Sequence, residues 1–208
     1  MIRRMVVRDV FTVNTYFYID DETHHGFLID PGAQAGRILQ KIEENGWTIE
    51  RILLTHGHFD HTGAVGEIAK TLRIPYSIHR EGKKYLTDTR WNLSAYCDRN
   101  IYLDAADYFE DDDIIRLQAN PSFSLKAIHT PGHTPDSVIY CSLQENVAFV
   151  GDTIFRDCPG SAQYIGGNEV QLYNSIFRCV LTLPDNTILF SGHTEPTTVE
   201  REKPLYLA

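Results

Sequence analysis

The 208-residue chain has no long apolar run and no excess of basic residues, and these two absences limit where it acts and what it binds. No segment is long and apolar enough to cross a bilayer, and residues 1–11 contain no apolar stretch of signal-peptide length. The formal net charge of -9 disfavours nucleic acid and anionic membranes as partners, because both favour a basic face. We therefore expect a cytoplasmic protein that acts on a small molecule and binds neither nucleic acid nor membrane.

Cysteine is also scarce, and the chain shows no break in composition. The four cysteines, Cys97, Cys141, Cys158 and Cys179, are widely separated in a chain too long to need disulfides for stability. Reduced thiols fit this pattern. No internal repeat, low-complexity tract or linker is visible, so the sequence predicts a single domain over residues 1–208.

Short apolar runs bounded by Gly, Pro, Asp or Asn predict a series of strands, and helical spacing of apolar residues occurs between some of them. The predicted strands lie within residues 5–11, 15–20, 26–30, 51–54, 123–128, 137–141, 147–150 and 187–190. The predicted helices lie around residues 38–42, 65–72 and 172–181, whereas residues 96–113 are expected to be loop with short elements. The fold class is therefore mixed α/β.

Seven potential metal ligands follow four of these strands. They are His56, His58, Asp60, His61, His133, Asp152 and His193. Glycine directly precedes four of them, and a residue without Cβ lets the backbone turn sharply and lets neighbouring side chains approach one point. A single such residue is usually part of a turn, but the joint occurrence of seven predicts a metal site.

The types of ligand narrow the choice of metal. Imidazoles and carboxylates without a thiolate favour Zn²⁺, with iron or manganese as alternatives. Seven ligands are too many for one tetrahedral ion. Two ions about 3.5 to 4 Å apart, bridged by a carboxylate and a water, would use all seven and leave positions open for a substrate.

The ligand motifs resemble those of the metallo-β-lactamase superfamily, specifically its glyoxalase II-like branch. The similar segments are His56-x-His58-x-Asp60-His61, "TPGHTPDSV" (130–138), "GDTIF" (151–155), "SGH" (191–193), "GFLIDPG" (26–32) and "WNLSAY" (91–96). The resemblance implies an αββα sandwich, in which two mixed sheets are flanked by helices and the site lies at one rim. It also implies that His56, His58 and His133 hold one ion, that Asp60, His61 and His193 hold the other, and that Asp152 bridges them.

Such a centre predicts a zinc-dependent hydrolase of thioesters or related acyl compounds, with Asp60 and Asp152 as catalytic residues. Metal-bound water is acidic enough to supply hydroxide near neutral pH, and Asp60 would also orient it. Asp30 either accepts a hydrogen bond from a ligand imidazole or simply opens an Asp-Pro-Gly turn.

The chain departs from the glyoxalase II-like pattern in two places. Residues 160–163 are Gly-Ser-Ala-Gln where that branch has Gly-Arg-x-Asp, and only fifteen residues follow His193. We therefore expect little preference for S-lactoylglutathione, unless the nearby Arg156 replaces the missing charge.

Other functions stay open at this point. One is a mononuclear Fe(II) enzyme like the persulfide dioxygenases, with two histidines and Asp152 as its facial triad. Another is a metal-binding protein without catalysis. Within the hydrolase interpretation, lactonase, β-lactamase and nuclease activities are further alternatives, and the acidic charge disfavours the last.

Overall fold

Six strands form the first sheet in the computed structural model, which describes residues 1–142 and 144–207. In spatial order they are β1 (Ile2–Arg8), β2 (Thr12–Ile19), β3 (His25–Ile29), β4 (Thr48–Leu53), β5 (Tyr76–His79) and β6 (Asp107–Phe109). The pairs β1–β2 and β2–β3 are antiparallel, whereas β3 to β6 run parallel. The sheet is therefore mixed.

The second sheet also has six strands, and a separate short pair lies beside it. The sheet contains β7 (Ile114–Arg116), β8 (Ser124–His129), β9 (Val138–Ser142), β10 (Val147–Gly151), β13 (Ile188–Ser191) and β14 (Thr197–Thr198), and the separate pair is β11 (Ile154–Phe155) with β12 (Cys158–Pro159). The order is β14-β13-β10-β9-β8-β7, and β10 pairs parallel with β13. This sheet is mixed as well.

Six α-helices accompany the sheets in the described part of the chain. They are α1 (Ala35–Asn45), α2 (Phe59–Thr62), α3 (Val65–Leu72), α4 (Lys83–Thr87), α5 (Glu169–Ser175) and α6 (Val199–Leu207). A π-helical turn, Ile176–Val180, continues α5, and 3-10 turns cover Arg80–Gly82 and Ser94–Cys97. None of these helices is long and apolar enough to cross a membrane.

Alternating side chains on the strands fill three separate cores. Successive residues of a strand point to opposite faces, so Tyr16 and Tyr18 pack between the two sheets while Phe17 and Ile19 pack toward α1 and α3. In the second sheet, Tyr140 faces the other sheet while its neighbour Ile139 packs with residues of α5 and α6. The layers are therefore helices, sheet, sheet and helices, which confirms the predicted αββα sandwich.

Most predicted elements match the structure, and the differences lie at their ends. The run predicted over residues 5–11 begins earlier, at Ile2, and ends at Arg8, because the chain turns there and leaves Val10 and Phe11 exposed. The loop predicted over residues 96–113 contains only one 3-10 turn and β6. All four cysteines lie in the described residues and are free, as expected. The single-domain organisation stays a prediction.

Candidate metal centre

All seven predicted ligands meet at one edge of the sandwich. His56 and His58 follow β4, and Asp60 and His61 lie in the short helix α2 that comes next. Three other loops supply the remaining ligands: His133 lies between β8 and β9, Asp152 follows β10, and His193 follows β13. The carboxyl ends of adjacent parallel strands lie at the same sheet edge, which is why β10 and β13 deliver their residues side by side.

The first cluster consists of three buried imidazoles. His58 Nδ1 lies 3.1 Å from His56 Nε2 and 3.0 Å from His133 Nε2. Burial lowers the pKa of His56 and of His58 well below the usual value, and the neighbouring imidazoles act in the same direction. Neutral rings at these distances direct nitrogen lone pairs at one point, which is the arrangement that a cation requires.

The second cluster combines two imidazoles with a carboxylate. His61 Nε2 lies 3.3 Å from His193 Nε2, and Asp60 Oδ2 lies 3.4 Å from His193 Nε2 and 3.8 Å from His61 Nε2. Burial alone would lower the pKa of His61, but the carboxylates of Asp152, Asp60 and Asp30 raise it to about 10. The negative charge of these carboxylates therefore stabilises a positive charge at this cluster.

Asp152 lies between the two clusters. Its Oδ2 atom is 3.6 Å from His133 Nε2 and 3.2 Å from His193 Nε2, while its Oδ1 atom is 3.4 Å from His61 Nε2. Burial would raise the pKa of Asp152, but His193, His61 and His133 hold it well below its usual range. The buried Oδ1 atom has no hydrogen-bond partner among the described residues. An orphaned anionic oxygen facing imidazole nitrogens fits a bound divalent cation.

The outward nitrogens of three ligand imidazoles are held by oxygen acceptors. His61 Nδ1 donates to Asp30 Oδ2 at 2.9 Å, His133 Nδ1 donates to the Ser161 carbonyl at 2.6 Å, and His193 Nδ1 donates to the Thr12 carbonyl at 2.7 Å. A ring that keeps its hydrogen on Nδ1 leaves Nε2 for a metal. Asp30 thus accepts a hydrogen bond from the imidazole of His61, one of the predicted ligands, as expected.

Asp30 also supports the first cluster through Thr55, which the sequence did not single out. The Asp30 carboxylate accepts from the Thr55 N–H at 2.8 Å and from the Thr55 hydroxyl at 2.6 Å. The same hydroxyl lies 3.1 Å from His56 Nδ1 and can accept its hydrogen. One buried carboxylate therefore orients a ligand in each cluster.

We predict that Asp30→Asn weakens zinc affinity by about 10- to 100-fold. The uncharged amide has only one accepting oxygen, whereas the carboxylate accepts at Oδ1 from the Thr55 N–H and at Oδ2 from His61. Competition with a chromophoric chelator measures this affinity. Asp20→Asn is the matched control, since Asp20 is also buried but bonds Thr23 and Asn120 instead. Equal zinc affinities for Asp30→Asn and the wild type would contradict the positioning role.

Glycine is required beside Asp152 for two different reasons. Gly151 has a φ of +48°, in the left-handed region. At Gly192 a Cβ atom would lie 2.2 Å from Asp152 Oδ1 and 2.7 Å from His61 Cε1. The predicted close approach of backbone and ligand is therefore present at Gly192.

A cavity of about 600 Å³ opens directly over the clusters. Its floor contains the predicted ligands His58, Asp60, His133, Asp152 and His193. His56 and His61 are fully buried behind this floor. The walls are formed mainly by the apolar or aromatic residues Phe11, Leu93, Tyr96, Phe155, Tyr164 and Ile165. A substrate in this cavity would contact both clusters.

The other histidines take no part in the clusters found among the described residues. His79 and His129 lie at the ends of β5 and β8 and stack with ring centroids 4.1 Å apart. His25 lies with its Nδ1 atom 2.7 Å from Glu50 Oε1. Arg156, considered as a replacement charge, lies 3.8 Å from Asp157 and does not line the cavity.

The αββα layers and the His/Asp clusters together define a metal-binding sandwich protein of the metallo-β-lactamase type. The sequence profile of the metallo-beta-lactamase superfamily matches residues 8–193. The chain therefore belongs to this superfamily, as its motifs predicted.

Two curated relatives align along nearly their whole length. A Bacillus subtilis protein named "Probable metallo-hydrolase YqgX" is 38% identical, with 97% of this chain and 93% of the relative covered. The hydroxyacylglutathione hydrolase GloC of Haemophilus influenzae is 31% identical, with 93% and 91% covered. Both names describe hydrolases, and GloC is named for a glutathione thioester.

Two solved structures share the fold closely. The BLEG-1 B3 metallo-beta-lactamase superposes with a TM-score of 0.91 at 32% identity, covering 98% of this chain and 97% of that one. The protein TTHA1623, solved in a di-iron-bound form, gives a TM-score of 0.85 at 27% identity, covering 97% and 96%. A chain similar to this one therefore binds two metal ions.

Proposed function

We propose that this protein is a binuclear metal-dependent hydrolase of thioesters or related acyl compounds. The observation that carries the proposal is the pair of clusters that lie on either side of Asp152 at the floor of an open cavity. The similarity to the hydrolase GloC supports the thioester class. We further propose that it acts on a small molecule in the cytoplasm, in keeping with its free cysteines.

In this proposal each cluster holds one ion. His56, His58 and His133 form one site, Asp60, His61 and His193 form the other, and Asp152 contributes to both. Zinc is the first choice for imidazole and carboxylate ligands, and iron is the alternative that the di-iron form of TTHA1623 supports. Such ions, when bound, would lower the pKa of a bound water and would polarise a substrate carbonyl.

The chain's own residues then position and protect the reaction. Asp60 lines the cavity beside His193, so the carboxylate oxygen that does not bind the metal could hold the proton that the attacking water gives up. The acceptors Asp30, Ser161 and Thr12 fix the imidazole rings. The aromatic walls limit the access of bulk water to the acyl group, which strengthens electrostatic interactions at the floor.

Hydrolysis of the acetyl thioester of N-acetylcysteamine tests this function. We expect activity in the zinc-loaded protein, loss of activity after chelation, and recovery when zinc is added back. Absence of hydrolysis in the folded, zinc-loaded protein would refute the proposal for thioesters.

Measuring oxygen uptake with a persulfide substrate distinguishes the hydrolase from the alternative, a mononuclear Fe(II) oxygenase. A facial triad needs three ligands and gives no reason for Asp60, His61 and His193 to converge beside it. This convergence favours the hydrolase. Oxygen uptake by iron-loaded protein, without thioester hydrolysis, would reverse the choice.

We predict less than a tenfold preference in kcat/KM for S-lactoylglutathione over a simple acyl thioester, because Ser161 lines the cavity where the resembled branch has arginine. A lost charged hydrogen bond costs about 1.5 to 3 kcal/mol, or roughly ten- to a hundredfold. Ser161→Arg should recover part of that factor, whereas Ser122→Arg, at an exposed turn, should not. A preference of about a thousandfold in the wild type would show that other residues bind glutathione.

A further inference from the structure

The walls of the cavity carry an unusual amount of exposed apolar surface. Phe11 is 46% exposed, Tyr96 72%, Tyr164 48% and Ile165 40%. These residues come from three segments that are far apart in sequence but line the same cavity. Contiguous apolar surface of this kind on a protein typically marks a place where a ligand is bound.

The walls also lack positive charge. Among the described residues that line the cavity, none is lysine or arginine, and the non-ligand polar residues are Thr12, Cys97, Ser161, Gln163 and the tyrosine hydroxyls. Arg99 follows the wall residues Tyr96 and Cys97 in sequence, but it is committed to a bidentate pair with Asp9, at 2.8 Å for each bond. A carboxylate on the substrate would therefore have no charged partner along these walls.

The Arg99–Asp9 pair has a structural role at the rim. Asp9 lies in the turn that carries Phe11, and Arg99 follows the 3-10 turn that carries Tyr96. Phe11 also contacts Phe59 of α2, with ring centroids 5.8 Å apart. These contacts connect the segment that carries Phe11 with the segment that carries Tyr96 and with α2.

From these observations, and resting on the proposed hydrolase function, we propose that the substrate is a thioester with an apolar, uncharged acyl group that packs against Phe11, Tyr96 and Tyr164. In the reaction the C–S bond breaks, and the carbonyl carbon bonds to the oxygen of water. The products are a carboxylate, a thiol and one released proton. The uncharged walls would leave a charged thiol portion without a partner, so the acyl group is the part that lies against them. The proton that Asp60 takes from the attacking water can pass to the departing sulfur.

Three thioesters of one neutral thiol, N-acetylcysteamine, test this inference on the zinc-loaded wild type. The acyl groups are acetyl, hexanoyl and adipoyl, and the last matches hexanoyl in length but ends in a carboxylate. We expect kcat/KM for the hexanoyl thioester to be about tenfold or more above the value for the acetyl thioester. It should also be about tenfold or more above the value for the adipoyl thioester. Equal values for hexanoyl and acetyl, or a preference for adipoyl, would overturn the inference.

A pair of variants locates the acyl group. Phe11→Ala should reduce the hexanoyl-to-acetyl ratio of kcat/KM at least about threefold, because the chain loses its apolar contact. Phe177→Ala is the matched control, since Phe177 is 38% exposed but lies on the outer helical layer and not at the cavity. An unchanged ratio in Phe11→Ala, with the variant folded, would place the acyl group elsewhere.

The results distinguish failure of this inference about the acyl group from failure of the hydrolase proposal. If none of the thioesters is hydrolysed, the hydrolase proposal itself fails. If all are hydrolysed at similar rates, the enzyme is a hydrolase but the apolar acyl class is wrong. A second series keeps the acetyl group and varies the apolarity of the thiol. If kcat/KM follows the thiol in that series and not the acyl group in the first, the walls bind the leaving group and the acyl assignment is wrong.

Discussion

Asp152→Ala is expected to reduce zinc-dependent thioester hydrolysis by at least about 10³-fold, or about 4 kcal/mol. The carboxylate lies between both clusters, within 3.6 Å of nitrogens of His133, His193 and His61. His56, His61 and Asp152 lie close enough together to hold an ion, and alanine removes the acidic member of this group. The variant should therefore retain one ion or none, because a shared ligand belongs to both coordination spheres.

Metal analysis and activity assays on the same preparation check this prediction. Asp104→Ala, at an exposed carboxylate away from the clusters, is the control and should retain metal and activity. His58→Ala should also abolish hydrolysis, since it removes the central nitrogen of the first cluster. Two ions at full occupancy in folded Asp152→Ala would contradict the bridging role.

Asp136→Asn is expected to stabilise the protein increasingly as the pH rises. Asp136 is fully buried, and neither carboxylate oxygen makes a hydrogen bond of good geometry. Burial raises its pKa from 3.8 to about 7, and weaker polar contacts with Thr134 and with the backbone of Asp136 and Gly57 offset only part of the rise. The folded protein thus keeps a proton here that the unfolded chain has lost.

The sign of the effect follows from proton binding. Between about pH 4 and pH 7 the folded state binds more protons at Asp136 than the unfolded state, so the free energy of unfolding falls as the pH rises and levels off above pH 7. Asparagine does not titrate, so the stability advantage of the variant should increase by about 2 to 3 kcal/mol from pH 5 to pH 8. Any fixed cost of burying the amide cancels in this comparison.

Urea unfolding of both proteins at the two pH values, in the same metal state, measures the change. Asp20→Asn is the control, because hydrogen bonds from Thr23, Asn120 and the backbone outweigh burial and lower the pKa of Asp20. Asp20 is therefore charged in both states from pH 5 to pH 8, and its variant should show no such trend. A constant difference between wild type and Asp136→Asn would mean that Asp136 titrates normally.

Much of the candidate metal centre could be predicted, because a metal site depends on the type of its side chains and on their positions directly after predicted strands. Three histidines and an aspartate within residues 56–61 can hardly serve a simple turn, and Gly192, directly before His193, marks a close approach of the backbone to Asp152 and His61. The alternation of apolar residues along the strands likewise predicted which elements form the sheets. Both signals are local, so the sequence carries them directly.

The supporting interactions could not be predicted, because they depend on the packing of distant segments. The Ser161 and Thr12 carbonyls that hold His133 and His193 are backbone atoms, which any residue type could supply. Thr55 precedes His56 like any strand-end threonine, and only the fold brings Asp30 to its hydroxyl. Asp136 stands in a polar motif and gives no sign in the sequence that it is buried. Such contacts are long-range and leave no periodic pattern.

The most direct test of the central claim is a titration of metal-free protein with zinc. Thioester hydrolysis is measured after each addition. If the two clusters form one binuclear hydrolytic centre, activity should rise to a plateau at two zinc equivalents per chain. A plateau at one equivalent, or no hydrolysis after two equivalents are bound, would contradict it.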